Sequence, residues 1–107
     1  MFTIENFTDA NGDAVFDKWR RQLTDKQAVA RITTRIERIK CGNFGDCKPL
    51  QHGVWELRID YGAGYRIYYS IVGKTIVLLL CGGNKRKQNA DIERAIDYLN
   101  DYKRRKL

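Results

Sequence analysis

Residues 53–71 (GVWELRIDYGAGYRIYYSI) constrain the fold more tightly than any other stretch of the chain. Trp55, Leu57 and Ile59 alternate with Glu56, Arg58 and Asp60. Gly62-Ala63-Gly64 then interrupts, and Tyr65, Ile67, Tyr69 and Ile71 alternate with Arg66, Tyr68 and Ser70. Side chains of a strand point to opposite faces of the sheet in turn, so a period of two on both sides of a glycine-rich turn reads as a hairpin. One apolar set faces a core, and Arg58 and Arg66 fall together on the other face. Two guanidiniums brought side by side repel each other, which serves folding poorly. They suit a polyanion, to which each offers a planar fork of donors. Function is expected on that face.

The remaining elements build outward from the hairpin. Phe2 to Phe7 reads as a first strand, and Asn11-Gly12-Asp13 breaks it. Val15, Phe16, Trp19 and Leu23 recur at helical spacing. Thr24 followed by Gln27 has the spacing of a capping box, which predicts a second helix from about Asp25 with Val29, Ile32, Ile36 and Ile39 as its apolar stripe. Arg31, Arg35 and Arg38 lie on its other faces, where such a stripe is more often solvated surface than a partner site. Cys41 to Leu50 holds two glycines and the one proline, the mark of a loop. Thr75 to Cys81 is apolar and rich in branched residues, fit for a central buried strand. Gly82-Gly83-Asn84 ends it, and a last helix is predicted from Asn89 to Arg104, burying Ile92, Ala95, Ile96, Leu99 and Tyr102. The order β-α-α-β-β-β-α predicts a single α+β domain over residues 1–107. In it a small twisted, mainly antiparallel sheet carries two helices on one face. The arginine face is expected to be open as a shallow cleft.

Charge narrows the partners. Twenty lysines and arginines against 13 acidic residues give +7, which calls for nucleic acid, an anionic membrane or an acidic protein. The longest apolar run, Ile76 to Cys81, is too short to span a bilayer, and neither a secretory leader nor a long basic amphipathic helix is evident. No membrane and a cytoplasmic location are therefore expected, with nucleic acid as the leading partner. Cys41, Cys47 and Cys81 are odd in number and scattered, so reduced thiols are expected rather than disulfides, and no metal site with His52. One histidine and the lack of Gly-x-Ser-x-Gly argue against a serine hydrolase, and no P-loop is present.

What remains is a cluster: Lys48 in the loop, Arg58 and Arg66 on the hairpin, and Lys85 to Lys87 after the last strand, interleaved with Tyr65, Tyr68 and Tyr69. Gly82-Gly83-Asn84-Lys85-Arg86-Lys87, between a strand and a helix, offers a phosphate contact or a simple solvated turn. Cations neutralise phosphates and aromatic rings stack bases, which is what single-stranded RNA requires. Tyr65, Tyr68 and Lys87 are the expected RNA-binding side chains. RNA supplies its own nucleophile, the 2′-hydroxyl, so cleavage needs no cofactor or metal. It needs only groups that move protons and hold the charge of the pentacoordinate phosphate. Glu56, on the strand face of Arg58, is either a candidate base or an ion-pair partner of an arginine.

The residues Glu56-Leu57-Arg58 and Gly64 to Tyr69 (GYRIYY) carry a resemblance that extends to Gly45 to Leu50 (GDCKPL), Leu80 to Lys85 (LCGGNK), Gln88 and Asp91-Ile92. The chain from Val15 to Tyr102 resembles the RelE/ParE superfamily of toxin–antitoxin toxins, in particular the phage-derived addiction-module killer branch grouped with HigB toxins. The resemblance implies a compact α/β toxin that cleaves mRNA, typically on the ribosome, and so inhibits translation. It further implies silencing by a cognate antitoxin, often one with a helix-turn-helix domain. Arg66 then stands where such toxins bind phosphate, followed by Arg58; Lys85 would add a cation, and Lys48 sits where relatives place a carboxylate or a basic residue. The chain departs from RelE in having Val54 and Glu56 in place of lysines and Asp91 in place of a tyrosine. It also lacks the final-loop histidine of some relatives. The same superfamily contains ParE-like toxins that bind gyrase without cutting RNA, so the fold alone leaves that function, or a non-catalytic interaction module, as the alternative.

Overall fold

The computed structural model describes residues 1–106. Strand β1 (Thr3–Asn6) leads to helices α1 (Val15–Gln22) and α2 (Lys26–Lys40). Strands β2 (Cys47–Pro49), β3 (Trp55–Ile59), β4 (Tyr65–Val72) and β5 (Ile76–Gly83) follow, then a 3₁₀ turn (Lys85–Lys87) and helix α3 (Gln88–Arg105). The strands form one sheet in the order β1-β5-β4-β3-β2. The neighbours β2/β3, β3/β4 and β4/β5 are antiparallel, and β1 joins the β5 edge in parallel.

The α+β class holds, as do the meander and the pair of helices on one face. Phe16 from α1 and Ile32, Ile36 and Ile39 from α2 pack against Leu57, Ile67, Tyr69 and Leu79 of the sheet. Each buried branched chain there contributes about 1.5–3 kcal/mol relative to exposure. The helix α2 begins one residue later than a Thr24 cap requires. Asp25 is the cap, its carboxylate accepting from the backbone N–H groups of Gln27 and Ala28 at 3.0 and 3.2 Å, because a carboxylate outcompetes a hydroxyl beside the positive end of the helix. The predicted loop 41–50 contains the short strand β2, which pairs Lys48 with Glu56 and Leu57 with Cys47.

The expectation of an open arginine face needs correction. Helix α3 lies across it, with Ala95 and Leu99 packed against Val54, Tyr68, Leu78, Leu80 and Cys81. Strand β5 is buried on both faces, as its unbroken apolar run requires. A bulge opposite Tyr68 and Tyr69, where Leu80 is the extra residue, lets β5 turn both Leu80 and Cys81 toward α3. Only the end of that face beyond the first turn of α3 remains accessible. The candidate cluster of Arg58, Arg66 and Lys85 sits there. No helix among the described residues is long and apolar enough to cross a membrane.

Candidate functional site

The hairpin turn sets the site. Tyr61 to Gly64 closes it, with Gly64 at φ +75°, a conformation that L side chains adopt only under strain. The Gly64 carbonyl accepts from Arg66 Nη1 at 2.7 Å, and the backbone N–H of Lys85 reaches the Ala63 carbonyl at 3.4 Å. The turn therefore holds Arg66 and brings the segment after β5 alongside it. Across the strands Arg58 and Arg66 are register partners, directly opposite each other, with Gly83 on the far side of Arg66.

Two facing guanidiniums need a counter-charge, and Glu56 supplies it. Its carboxylate is fully buried and accepts from Arg58 Nε at 3.1 Å, Gln88 Nε2 at 2.9 Å and the Tyr68 hydroxyl at 3.3 Å. Arg66 Nε stands 3.6 Å away. Burial alone would raise the Glu56 pKa. The hydrogen bonds from Gln88 and Arg58 and the charges of Arg66 and Lys48 outweigh it and hold the carboxyl below its ordinary value. Of the two readings that the sequence left open, the geometry favours the ion pair: an anion with its lone pairs occupied is a weak proton acceptor.

The sequence-predicted residues separate into groups. Arg58, Arg66, Lys85 and Tyr65 line one open pocket of about 280 Å³, together with Asp46, Asp60, Ile59 and Gly64. Lys48 is exposed on β2 opposite Glu56 and adds its charge at the edge. Lys87 is exposed one turn away on the 3₁₀ segment, outside the pocket wall. Tyr68 is a correction. It was expected to stack on a base, yet it is wholly buried under α3, and burial together with Glu56 raises its hydroxyl pKa. The alternation placed Tyr68 on the arginine face, and α3 covers that part of it. Tyr65 keeps an exposed portion while packing near Trp19, ring centroids 6.3 Å apart.

Three residues matter here that sequence reasoning did not assign. Gln88, first residue of α3, bonds the buried Glu56. Arg35 of α2 donates to the Arg58 carbonyl at 2.6 Å, to Phe44 O at 3.0 Å and to Asp46 O at 3.2 Å. It thereby ties the helix to the strand of Arg58 and to the segment leading into β2. Gly45 makes room for it, since a Cβ there would stand 2.9 Å from Arg35 Nη2. Asp91, at the start of α3, is buried against Gly83 with its Oδ2 unpartnered. Burial raises its pKa against the opposing charges of Arg94 and Lys87. The signal for Gln88 and Asp91 was their position in the first turn of an amphipathic helix, which must lie on the sheet. Arg35 gave no signal apart from Arg31 and Arg38. The three thiols are free, and burial pushes that of Cys81 up to about 12, which leaves it unreactive.

Comparison with known proteins adds kinship. The sequence model of the family described as "Phage derived protein Gp49-like (DUF891)" matches residues 18–100, a span that runs from α1 to α3 and holds every residue of the pocket. A protein of Haemophilus influenzae described as "Uncharacterized protein" is 48% identical over 80 residues, covering 75% of this chain and 81% of that protein.

Proposed function

Because this chain belongs to the phage-derived Gp49-like family, we propose that it is the toxin of a toxin–antitoxin module, a metal-independent endoribonuclease that cuts mRNA on the ribosome and so inhibits translation. The observation that carries this reading is the directly opposed pair Arg58 and Arg66, held over the buried Glu56 and open to a pocket shared with Lys85. The RelE/ParE resemblance of the same residues, and of the killer-protein branch grouped with HigB toxins, supports it.

In the proposed reaction the 2′-hydroxyl of the nucleotide 5′ to the cut gives its proton to water as its oxygen attacks phosphorus, and the 5′-oxygen of the next nucleotide leaves and takes a proton from water, giving a 2′,3′-cyclic phosphate and a 5′-hydroxyl. The dianionic phosphorane between these steps carries the charge that the site must hold. Arg66 is the phosphate clamp, fixed at one end by the Gly64 carbonyl. Arg58 is its partner on the equatorial oxygens, and Lys85 and Lys48 make the potential at the rim more positive. Donors held in place before the reaction lower a barrier most, because they need no reorganisation as charge develops. Glu56 acts as the anchor of the two arginines, and Tyr65 offers its partly exposed ring to a base. The cognate antitoxin, expected to carry a helix-turn-helix domain, would silence the protein by covering this basic pocket in the cytoplasm.

Brief expression in bacteria, followed by mapping of transcript 5′ ends with and without blocked translation, tests the proposal. Cuts confined to translated mRNA, lost in Arg66→Gln, are the expected result. Growth arrest with transcripts intact would overturn it and move the search to gyrase.

A further inference from the structure

The arginine pocket does not end at the hairpin. Ile59 and Asp60, at its wall, also form the wall of a second and larger groove of about 530 Å³ that runs along the outer side of α2. Arg31, Arg35 and Arg38 line it with Gln27 and Thr34. Successive arginines at spacings of four and three residues share one helix face, their Cβ atoms about 5–6 Å apart. None of the three has a carboxylate within ion-pair distance among the described residues. Asp60 is the one acidic group on the groove wall.

Arg35 and Arg31 are held in ways that leave their charge uncancelled, and Arg38 is exposed. Arg35 spends its donors on neutral carbonyls, and its pKa is lowered by burial and by the like charge of Arg38, with Asp46 opposing. The Arg31 guanidinium lies 4.6 Å from the centre of the Tyr61 ring, whose hydroxyl is in turn bonded to Asp25. Such stacking fixes a guanidinium without neutralising it. Folding accounts for Arg35 through its bonds to three carbonyls but gives little reason to set Arg31 and Arg38 on the same helix face, since like charges at this spacing destabilise the helix. A polyanion lying in the groove removes that repulsion.

We infer that the α2 groove is a binding track for the sugar-phosphate backbone of the RNA strand flanking the cut, continuous with the Arg58/Arg66 pocket around Ile59 and Asp60. Arg31 and Arg38 contact phosphates, and Thr34 and Gln27 offer hydrogen bonds to phosphate or ribose oxygens. The contact reads backbone and not sequence, which fits a groove walled by helix side chains and no free aromatic face. The inference rests on the proposed ribonuclease reading, since it extends the same strand out of the pocket.

Fluorescence anisotropy with a fluorescently labelled 12-mer RNA, made uncleavable by 2′-O-methylation and titrated at several salt concentrations, tests it. The wild type, Arg66→Gln, the double variant Arg31→Gln/Arg38→Gln and Thr34→Glu are compared after circular dichroism confirms that each is folded. Loss of two phosphate contacts should weaken binding about 10-fold or more at low salt and reduce the salt slope by roughly 1.4, at about 0.7 per contact for a single strand. Thr34→Glu, which sets a carboxylate in the groove, should weaken binding in the same direction. If the groove variants bind like wild type while Arg66→Gln is impaired, the track is refuted and the ribonuclease reading stands. If the wild type binds no RNA, the track is refuted, while the ribonuclease reading is decided separately by the transcript 5′ ends. If poly-glutamate displaces the 12-mer from wild type more effectively than unlabelled RNA does, the groove is built for an acidic protein segment and the inference is overturned.

Discussion

Replacing Glu56 by glutamine isolates the electrostatics of the site, because it preserves shape and removes charge. In the wild type one buried carboxylate faces Arg58 at 3.1 Å and Arg66 at 3.6 Å, with side chains 38% and 12% exposed. The variant leaves the two guanidiniums opposite each other with no counter-charge between them. Removing one partner of a buried ion pair costs about 3–5 kcal/mol. Water reaches part of Arg58 and the new amide oxygen still accepts one hydrogen bond, so about 2–4 kcal/mol is expected here. Against a total stability of about 5–15 kcal/mol for a domain of this size, that lowers the melting temperature by roughly 10 °C or more. The pH dependence supplies a second readout. The folded-state pKa of Glu56 is depressed, so its contribution is fully present above the unfolded value of about 4.3. It is lost as pH falls through the folded value. Urea unfolding from about pH 7 down to about pH 3 should show the wild type losing stability faster than Glu56→Gln, and the gap between them closing. Adding Arg66→Gln to Glu56→Gln should recover part of the loss, since the remaining charge then has no like neighbour. A variant within about 0.5 kcal/mol of wild type at neutral pH, or a gap that stays constant with pH, would refute the anchoring role.

Three further outcomes are expected. Arg35→Met removes the donors to three carbonyls; it should lower stability by about 2–3 kcal/mol in urea unfolding and reduce transcript cutting as the strand of Arg58 loosens. Gly82→Ala drives a Cβ into the Trp19 ring; it should destabilise by about 1–3 kcal/mol, and Trp19→Leu should relieve part of that, as a chemical-denaturation cycle would reveal. Asp91→Asn should stabilise the protein at neutral pH by about 1 kcal/mol. Burial raises the Asp91 pKa, so the folded state binds the proton more tightly and stability falls as pH rises from the unfolded to the folded value. The advantage of the variant should therefore shrink in acid, and a melting series across pH checks it.

Much of this architecture is written in periodicities. The alternation of Trp55 to Ile59 and Tyr65 to Ile71 gave the hairpin and set Arg58 and Arg66 on one face, where the register indeed pairs them. The stripe Ile32, Ile36, Ile39 gave α2 and its burial. Other features depend on contacts distant in sequence. Strand β2 has three residues, two of them exposed, follows Gly45 and ends on Pro49, so local chemistry reads as loop; pairing with β3 makes it a strand. Tyr68 looked available because alternation assigns a face but not what covers the face. The information was present at one remove: the run Ile76 to Cys81 is apolar on both faces, and the stripe of the last helix had to lie on something. Together they require a helix over the arginine side. Glu56 was legible as a neighbour of Arg58, but its burial depends on Gln88, 32 residues away.

That dependence links folding to function. Glu56 receives Tyr68 and Gln88 from the α3 side and the two arginines from the pocket side, so one carboxylate joins the helix–sheet core to the proposed catalytic pair. Desolvating it is unfavourable unless its oxygens are hydrogen-bonded and its charge is paired; Arg58, Gln88 and Tyr68 donate to it, and Arg66 Nε, 3.6 Å away, adds its charge. The arginines then hold a fixed geometry without a ligand, on the paired strands β3 and β4. A site assembled this way loosens whenever α3 lifts, because departure of Gln88 exposes the anion to water and weakens its hold on both guanidiniums. A partner that pulled the first turn of α3 from the sheet would therefore disarm the pocket without touching it, as would any substitution that weakens the packing of Ala95 and Leu99 on Val54 and Leu80.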